Sequence, residues 1–213
     1  MHDMKPLVFG LFCCAFLIGC TKEVEPVKEK SKGDTSALSA VDDMTAWFLE
    51  TYSSIEDGFA KAEKDLVESD RSPDQILREL HDNIGALASA AKAKRIELDK
   101  INKDLTDLKS QFEQLAISSP SSERGIYEDS LLEIDLAIEE KANPLRDFDF
   151  PYLEKFDSGL KSAIERWQQI LVIMKKNNSS DFREKLSELI AKHFEDNLDQ
   201  QIKVRRAKWS ESE

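Results

Sequence analysis

An all-α fold, an elongated antiparallel bundle of about five helices with coiled-coil-like heptads, is what this sequence predicts, and three observations carry the prediction. From Thr35 onward apolar residues recur in steps of three and four, the spacing of one face of a helix. The stretches that interrupt this pattern are short and rich in serine, asparagine and proline, as helix connections are. The whole chain holds seven glycines and shows no alternating run that would mark strands. One domain over 35–213, roughly 180 residues, follows, and a chain of that size buries a sizeable core without metals or disulfides.

The first helix is expected from about Ser36 to Ser69, with Leu38, Val41, Thr45, Phe48, Tyr52, Ile55, Phe59, Ala62 and Leu66 as its seam. Ser72-Pro73-Asp74-Gln75 then offers a capping hydroxyl, a proline at the first helical position, an early acid for the helix dipole and a capping-box glutamine. The second helix is expected to run from there to Ile117, about 65 Å at 1.5 Å per residue. Ile84, Leu87, Ala91, Lys94, Leu98, Ile101, Leu105, Leu108, Phe112 and Leu115 hold its heptad. Ile76, Leu80 and Ile84 step by four, and Gly85 follows where a bend costs least. Lys94 sits at a core-type position, either fixing register or snorkelling out of a loose contact.

Ser118-Ser119-Pro120-Ser121-Ser122 reads as the next connection, with Ser122 or a neighbour capping a third helix whose buried face is Tyr127, Leu131, Ile134 and Ile138. Asn143-Pro144 is expected to end it, because the residue before proline is pushed out of helical geometry. A fourth helix resumes near Pro151 on Leu153, Phe156, Leu160, Ile164, Trp167, Leu171 and Met174. After Asn177-Asn178-Ser179-Ser180, a fifth runs from about Asp181 to Trp209, with Phe182, Leu186, Leu189, His193, Asn197 and Ile202 inward. Such heptads suit a homodimer as well as intramolecular pairing, and the sequence does not decide between them.

Ahead of the helices, the run from Leu7 to Ile18 is apolar apart from Gly10, Cys13 and Cys14. It is too short for a bilayer-spanning helix, which needs about 20 residues, and suits the core of a signal peptide. Its flank carries Lys5 offset by Asp3; a start at Met4 instead of Met1 would remove the acid. The run closes on Leu17-Ile18-Gly19-Cys20, which resembles the lipobox of bacterial lipoproteins. The resemblance covers only about the first twenty residues. It implies a signal peptide over 1–19 and acylation of Cys20 by a diacylglycerol thioether and an amide-linked acyl chain of the palmitate kind. Thr21 follows in place of an inner-membrane-retaining aspartate, which implies an outer-membrane anchor facing the periplasm. Cysteine usage agrees, since Cys20 would be the sole thiol of the processed chain and no internal disulfide is possible. Residues Thr21 to Asp34 alternate acids with lysines around Pro26 and Gly33; burial there cannot offset ordering entropy, so 20–34 is expected to be a lipidated cysteine and a disordered tether.

The net charge of −12 argues against a nucleic-acid partner. From Glu123 to Asp157 eleven acids face four cations, a net of −7, whereas Lys203, Arg205, Arg206 and Lys208 cluster at the other extreme. Two readings compete for that basic cluster: a membrane-surface contact in which Trp209 joins as an interfacial anchor, or cations that complement the dipole of the last helix. Asp147-Phe148-Asp149-Phe150-Pro151-Tyr152 stands out as well. Its rings are either a plug between helices or a docking patch, making Phe148, Phe150, Tyr152, Asp147 and Asp149 the candidate partner-binding residues.

Catalytic signals are weak. His81 has no carboxylate at metal spacing on its own helix face, and His193, with Asp196 three residues on, falls on the apolar stripe. No di-metal Glu-x-x-His pair, nucleophile elbow or phosphate-binding glycine loop occurs, so neither cofactor nor metal is expected. The sequence therefore points to an envelope lipoprotein whose acidic bundle works as a protein-binding accessory or scaffold with an envelope protein partner. Two alternatives stand beside it: an immunity or inhibitor lipoprotein that blocks a basic toxin or hydrolase, and a ligand-binding or enzymatic bundle with a pocket near Trp167 and His193.

Overall fold

The computed structural model describes residues 36–210, which are helical apart from short turns and contain no strand. Six α-helical segments occur among them: α1 (Ser36–Glu68), α2 (Pro73–Ser118), α3 (Arg124–Leu136), α4 (Phe150–Lys176), α5 (Phe182–Phe194) and α6 (Gln200–Ser210). Three π-helical turns join some of these end to end: π1 (Ala137–Ala142) and π2 (Leu145–Asp149) between α3 and α4, and π3 (Glu195–Asp199) between α5 and α6. The result is four continuous rods rather than five helices, and the described residues form one compact unit. The leader, Cys20 and the tether lie outside the described residues.

Pairs across the rods fix their directions. Asp74 to Lys175, Arg95 to Glu154 and Lys109 to Asp135 advance along α2 while retreating along the third rod, so these two are antiparallel. Asp42 to Lys141 and Tyr52 to Asp149 advance together, so α1 runs parallel to the third rod. The last rod returns antiparallel to α1, with Arg183 at the C-terminal end of α1 and Arg206 beside Glu56. Arg183 closes that end of α1: its guanidinium donates to the carbonyls of Leu66 at 2.7 Å, Ser69 at 2.6 Å and Arg71 at 2.9 Å. Carbonyls left over at a helix end are thereby satisfied from another rod.

The seam expected for α1 is the seam observed. Val41, Thr45, Phe48, Tyr52, Ile55, Phe59, Ala62 and Leu66 are buried, and Leu38 is partly so. On α2 the buried set runs Ile76, Leu77, Leu80, Ile84, Ala91, Leu98, Ile101, Leu105, Leu108 and Phe112, with one continuous helix through Gly85. Lys94 snorkels: its ammonium reaches out to Glu97 at 2.8 Å. Neither Ser72 nor Ser122 caps by its side chain; the Ser72 carbonyl instead accepts from Gln75 N–H at 2.9 Å, and the position before α3 is Glu123. The turn after α4 places Asn178 at φ 50°, a left-handed position that asparagine tolerates.

Asn143-Pro144 does not end a helix. Both residues keep helical dihedrals, Asn143 at φ −64°, ψ −49° and Pro144 at φ −60°, ψ −39°. A proline inside an α-helix lacks the N–H for the carbonyl four residues back and presses its ring on that carbonyl. Here that residue is Glu140, inside π1, where the wider register moves the partner: Asn143 N–H donates to Ile138 O, five residues back. Pro151 repeats the device, since Asp147 lies in π2 and Phe150 N–H donates to Leu145 O. The inward residues of the last rod are Leu186, Ile190, Phe194, Leu198, Ile202 and Trp209; of the expected stripe, Leu186 and Ile202 are buried, Phe182 and His193 are partly buried, and Leu189 and Asn197 are exposed. A stripe stepping by four overshoots a 3.6-residue turn each time, and the wider turn of π3 takes up the excess.

Most of the core is one cluster under all four rods. A second, smaller one joins Leu108, Phe112 and Ile134 with Leu38, Tyr127, Leu131 and Ile138 at the far end of α2. There the bundle thins to α1, α2 and α3. No described helix is long and apolar enough to cross a membrane.

Candidate functional site

Two features of the described residues carry side-chain chemistry, and both lie along the face of α1 that receives the third and fourth rods. The first is a buried polar clamp. π2 turns Asp149 inward to 2 % exposure, where its carboxylate accepts from the Tyr52 hydroxyl at 2.6 Å and from Arg205 at 2.9 Å. The Arg205 guanidinium also lies 4.2 Å from the centre of the Tyr152 ring, a cation–π contact that is stronger for being desolvated. Burial, reinforced by the Asp149 charge, raises the Tyr52 phenol far above its ordinary value and keeps it a neutral donor. Burial likewise pushes Tyr152 up to about 12, with Arg205 pulling the other way. The clamp ties three rods together.

This accounts for the aromatic segment residue by residue. It is helical, not a loop. Phe150 is buried against Phe48, ring centres 4.7 Å apart, and Tyr152 is buried against Tyr52 and Phe156. Phe148 is 64 % exposed, and Asp147 lies on the surface paired with Arg146 at 2.8 Å, which holds its carboxyl below the usual range. Of the five candidates only Phe148 and Asp147 face solvent.

The basic cluster is also largely engaged within the protein. Lys203 pairs with Asp199 at 2.7 Å, Arg205 with Asp149, and Arg206 with Glu56. Lys208 lies over the Trp209 ring, and that ring is fully buried. A buried indole presents nothing to a headgroup layer, so Trp209 acts as a wedge that seats α6 on the bundle. Trp167 and His193 do meet, edge to face with centres 5.3 Å apart. Burial lowers the His193 pKa, helped by Arg166 and opposed by Asp196, so the ring is a neutral packing element. His81 lies at the surface beside Asp82 at 3.3 Å. Among the described residues no group of three or more His, Cys, Asp or Glu side chains is gathered as a metal site.

The second feature is a groove of about 330 Å³ between the start of α1 and the third rod. Leu38, Val41, Leu136 and Ala137 give it an apolar floor; Asp42, Glu133, Glu140 and Lys141 rim it. Lys141 closes on Asp42 at 2.5 Å, while neither Glu133 nor Glu140 has a charged partner among the described residues. Leu136 remains 45 % exposed between them. Sequence reasoning located the acid excess of this stretch but not the groove. The signal available was the local run Glu133, Leu136, Ala137, Glu140, which places two carboxylates of one rod, in α3 and in π1, on either side of apolar residues.

No family model matches the sequence, and no curated protein or solved structure matches it either.

Proposed function

We propose that this chain is a lipid-anchored protein of the bacterial envelope whose helical domain holds another envelope protein, acting as an accessory or scaffold module. The observation that carries the binding half of this reading is the groove between α1 and the third rod: apolar at the floor and mostly acid at the rim, with Glu133 and Glu140 in no ion pair among the described residues. Unanswered charge beside exposed apolar surface marks a site for association, because a complementary partner gains both from burying the apolar area and from pairing the charge. The anchoring half rests on the lipobox-like Leu17-Ile18-Gly19-Cys20 and on Thr21 after it. Acylation there would hold the domain at an outer-membrane surface.

The inhibitor or immunity reading keeps one observation in its favour, the net of −7 from Glu123 to Asp157, which suits a basic toxin or hydrolase. Two assays test the proposal. Cells fed an alkyne-bearing fatty acid should label the protein, and Cys20→Ala should abolish labelling and release a folded domain from carbonate-washed membranes. Retention of the alanine variant in the membrane would overturn the anchor. Crosslinking in intact cells with mass spectrometry should return a resident envelope protein; a secreted basic enzyme in its place would favour the inhibitor.

A further inference from the structure

The open groove lies on the path that the last rod follows. α5 and α6 pack on α1 and against the third rod, and the α1 side chains that meet them recur down one face: Glu63 and Glu56 beside α5, π3 and Lys203, then Tyr52 reaching the Asp149 clamp under Arg205. Asp42 belongs to that same face, since positions 42, 56 and 63 differ by multiples of seven, which returns a helix to nearly the same direction. Trp209 and Ser210 finish α6, and beyond them no described helix covers the face. The strip of α1 and of the third rod that α6 would reach next is the groove floored by Leu38 and Leu136.

How α6 is held shows what fits there. It buries only Ile202 and Trp209, and it answers acids of the rods beneath it with arginines, Arg205 to Asp149 and Arg206 to Glu56. The groove repeats this pattern without its occupant: an apolar floor between Glu133 of α3 and Glu140 of π1. We infer that the groove seats a basic amphipathic helix from a partner protein, laid antiparallel to α1 where the last rod leaves off, with an apolar side chain over Leu38 and Leu136 and lysines or arginines on Glu133 and Glu140. The inference rests on the protein-binding reading above and adds the chemistry of the partner and the direction in which it lies. An acidic or purely apolar helix would leave these carboxylates facing like charge or desolvated without a partner, and both cost affinity.

The test uses the full chain purified in a neutral detergent and a synthetic amphipathic helix of about 18 residues, long enough to be helical when seated, with leucines on one face and lysines flanking them. Its twin carries glutamate for lysine. Fluorescence anisotropy of the labelled peptides should show binding of the basic helix and none of the acidic one. Glu133→Lys with Glu140→Lys should weaken the basic helix at least about tenfold, whereas Glu184→Lys with Glu188→Lys, exposed on α5 away from the groove, should change it less than about threefold. Melting curves of both double variants control for folding. No binding of the basic helix, or equal losses from the two double variants, would overturn the inference. A concentration-dependent dimer in sedimentation that Leu136→Glu dissolves would overturn it as well, assigning the groove to a second copy of this chain. Should the peptide fail while crosslinking in cells still returns an envelope protein, the groove is discarded and the binding function stands on another surface; loss of both discards the two together.

Discussion

Arg205 and Asp149 meet at 2.9 Å across two rods, and the carboxylate they share with Tyr52 is almost wholly shielded from water. A buried charge is tolerated only while its partners remain, so the pair ties α6 to the bundle. Arg205→Ala should therefore cost about 3 kcal/mol, because it strands the buried carboxylate. Asp149→Asn keeps an acceptor for both donors and should cost only about 1 to 2 kcal/mol. Urea denaturation of the two variants checks the order; equal small losses would show that the clamp is incidental.

Phe150 and Phe148 should separate cleanly in alanine scanning. Phe150 fills the core beside Phe48, so Phe150→Ala should cost about 3 to 5 kcal/mol through the cavity it leaves. Phe148 faces solvent, and Phe148→Ala should stay within about 0.5 kcal/mol. Melting temperatures measure both.

Acid should weaken the α4 and α5 contact through His193. Its pKa is lowered by burial and by Arg166. The unfolded chain therefore takes up the proton at higher pH than the folded one, and the stability His193 contributes is present above the ordinary histidine value of 6.5 and lost as pH falls below it. Denaturation midpoints should fall more steeply from about pH 7.5 to 5.5 in the natural chain than in His193→Gln, which cannot titrate. Parallel slopes would contradict the packing role.

Alkali should act through Tyr152, raised from 10.0 to about 12 chiefly by burial. A raised phenol is stabilising while protonated, so its contribution is intact below pH 10 and lost as pH climbs toward 12. Tyr152→Phe should flatten the alkaline fall in stability measured by circular dichroism over that range.

The seam of α1 was legible because its steps of three and four follow an uninterrupted α-helix, so the inward positions from Val41 to Leu66 on that seam could be read from spacing, whereas Met44 and Thr51, buried beside it, were not. Asn143-Pro144 misled for a physical reason: the breaking rule assumes the α register, and π1 removes the clash by shifting the carbonyl partners around Glu140. The same kind of turn, π3, carries the inner stripe on in steps of four from Phe194 to Leu198 and Ile202, where the α register steps through Asn197 instead. Asp149 was visible as an acid among aromatics, but its role depends on Tyr52 and Arg205, remote in sequence and joined only by the topology. The groove was hidden for a related reason. Its rim residues are ordinary surface acids until one knows where α6 ends relative to α1.

Site-directed photocrosslinking in living cells, with the reactive side chain at Leu136 in the groove or at Val172, exposed on α4 away from it, tests most directly that this domain holds an envelope protein in that groove. The expected result is a single envelope adduct from position 136 that maps to a basic helix and disappears when Glu133→Lys and Glu140→Lys are added, with little or none from position 172. Adducts of equal strength from both positions, or an adduct at 136 indifferent to the charge reversal, would contradict the account.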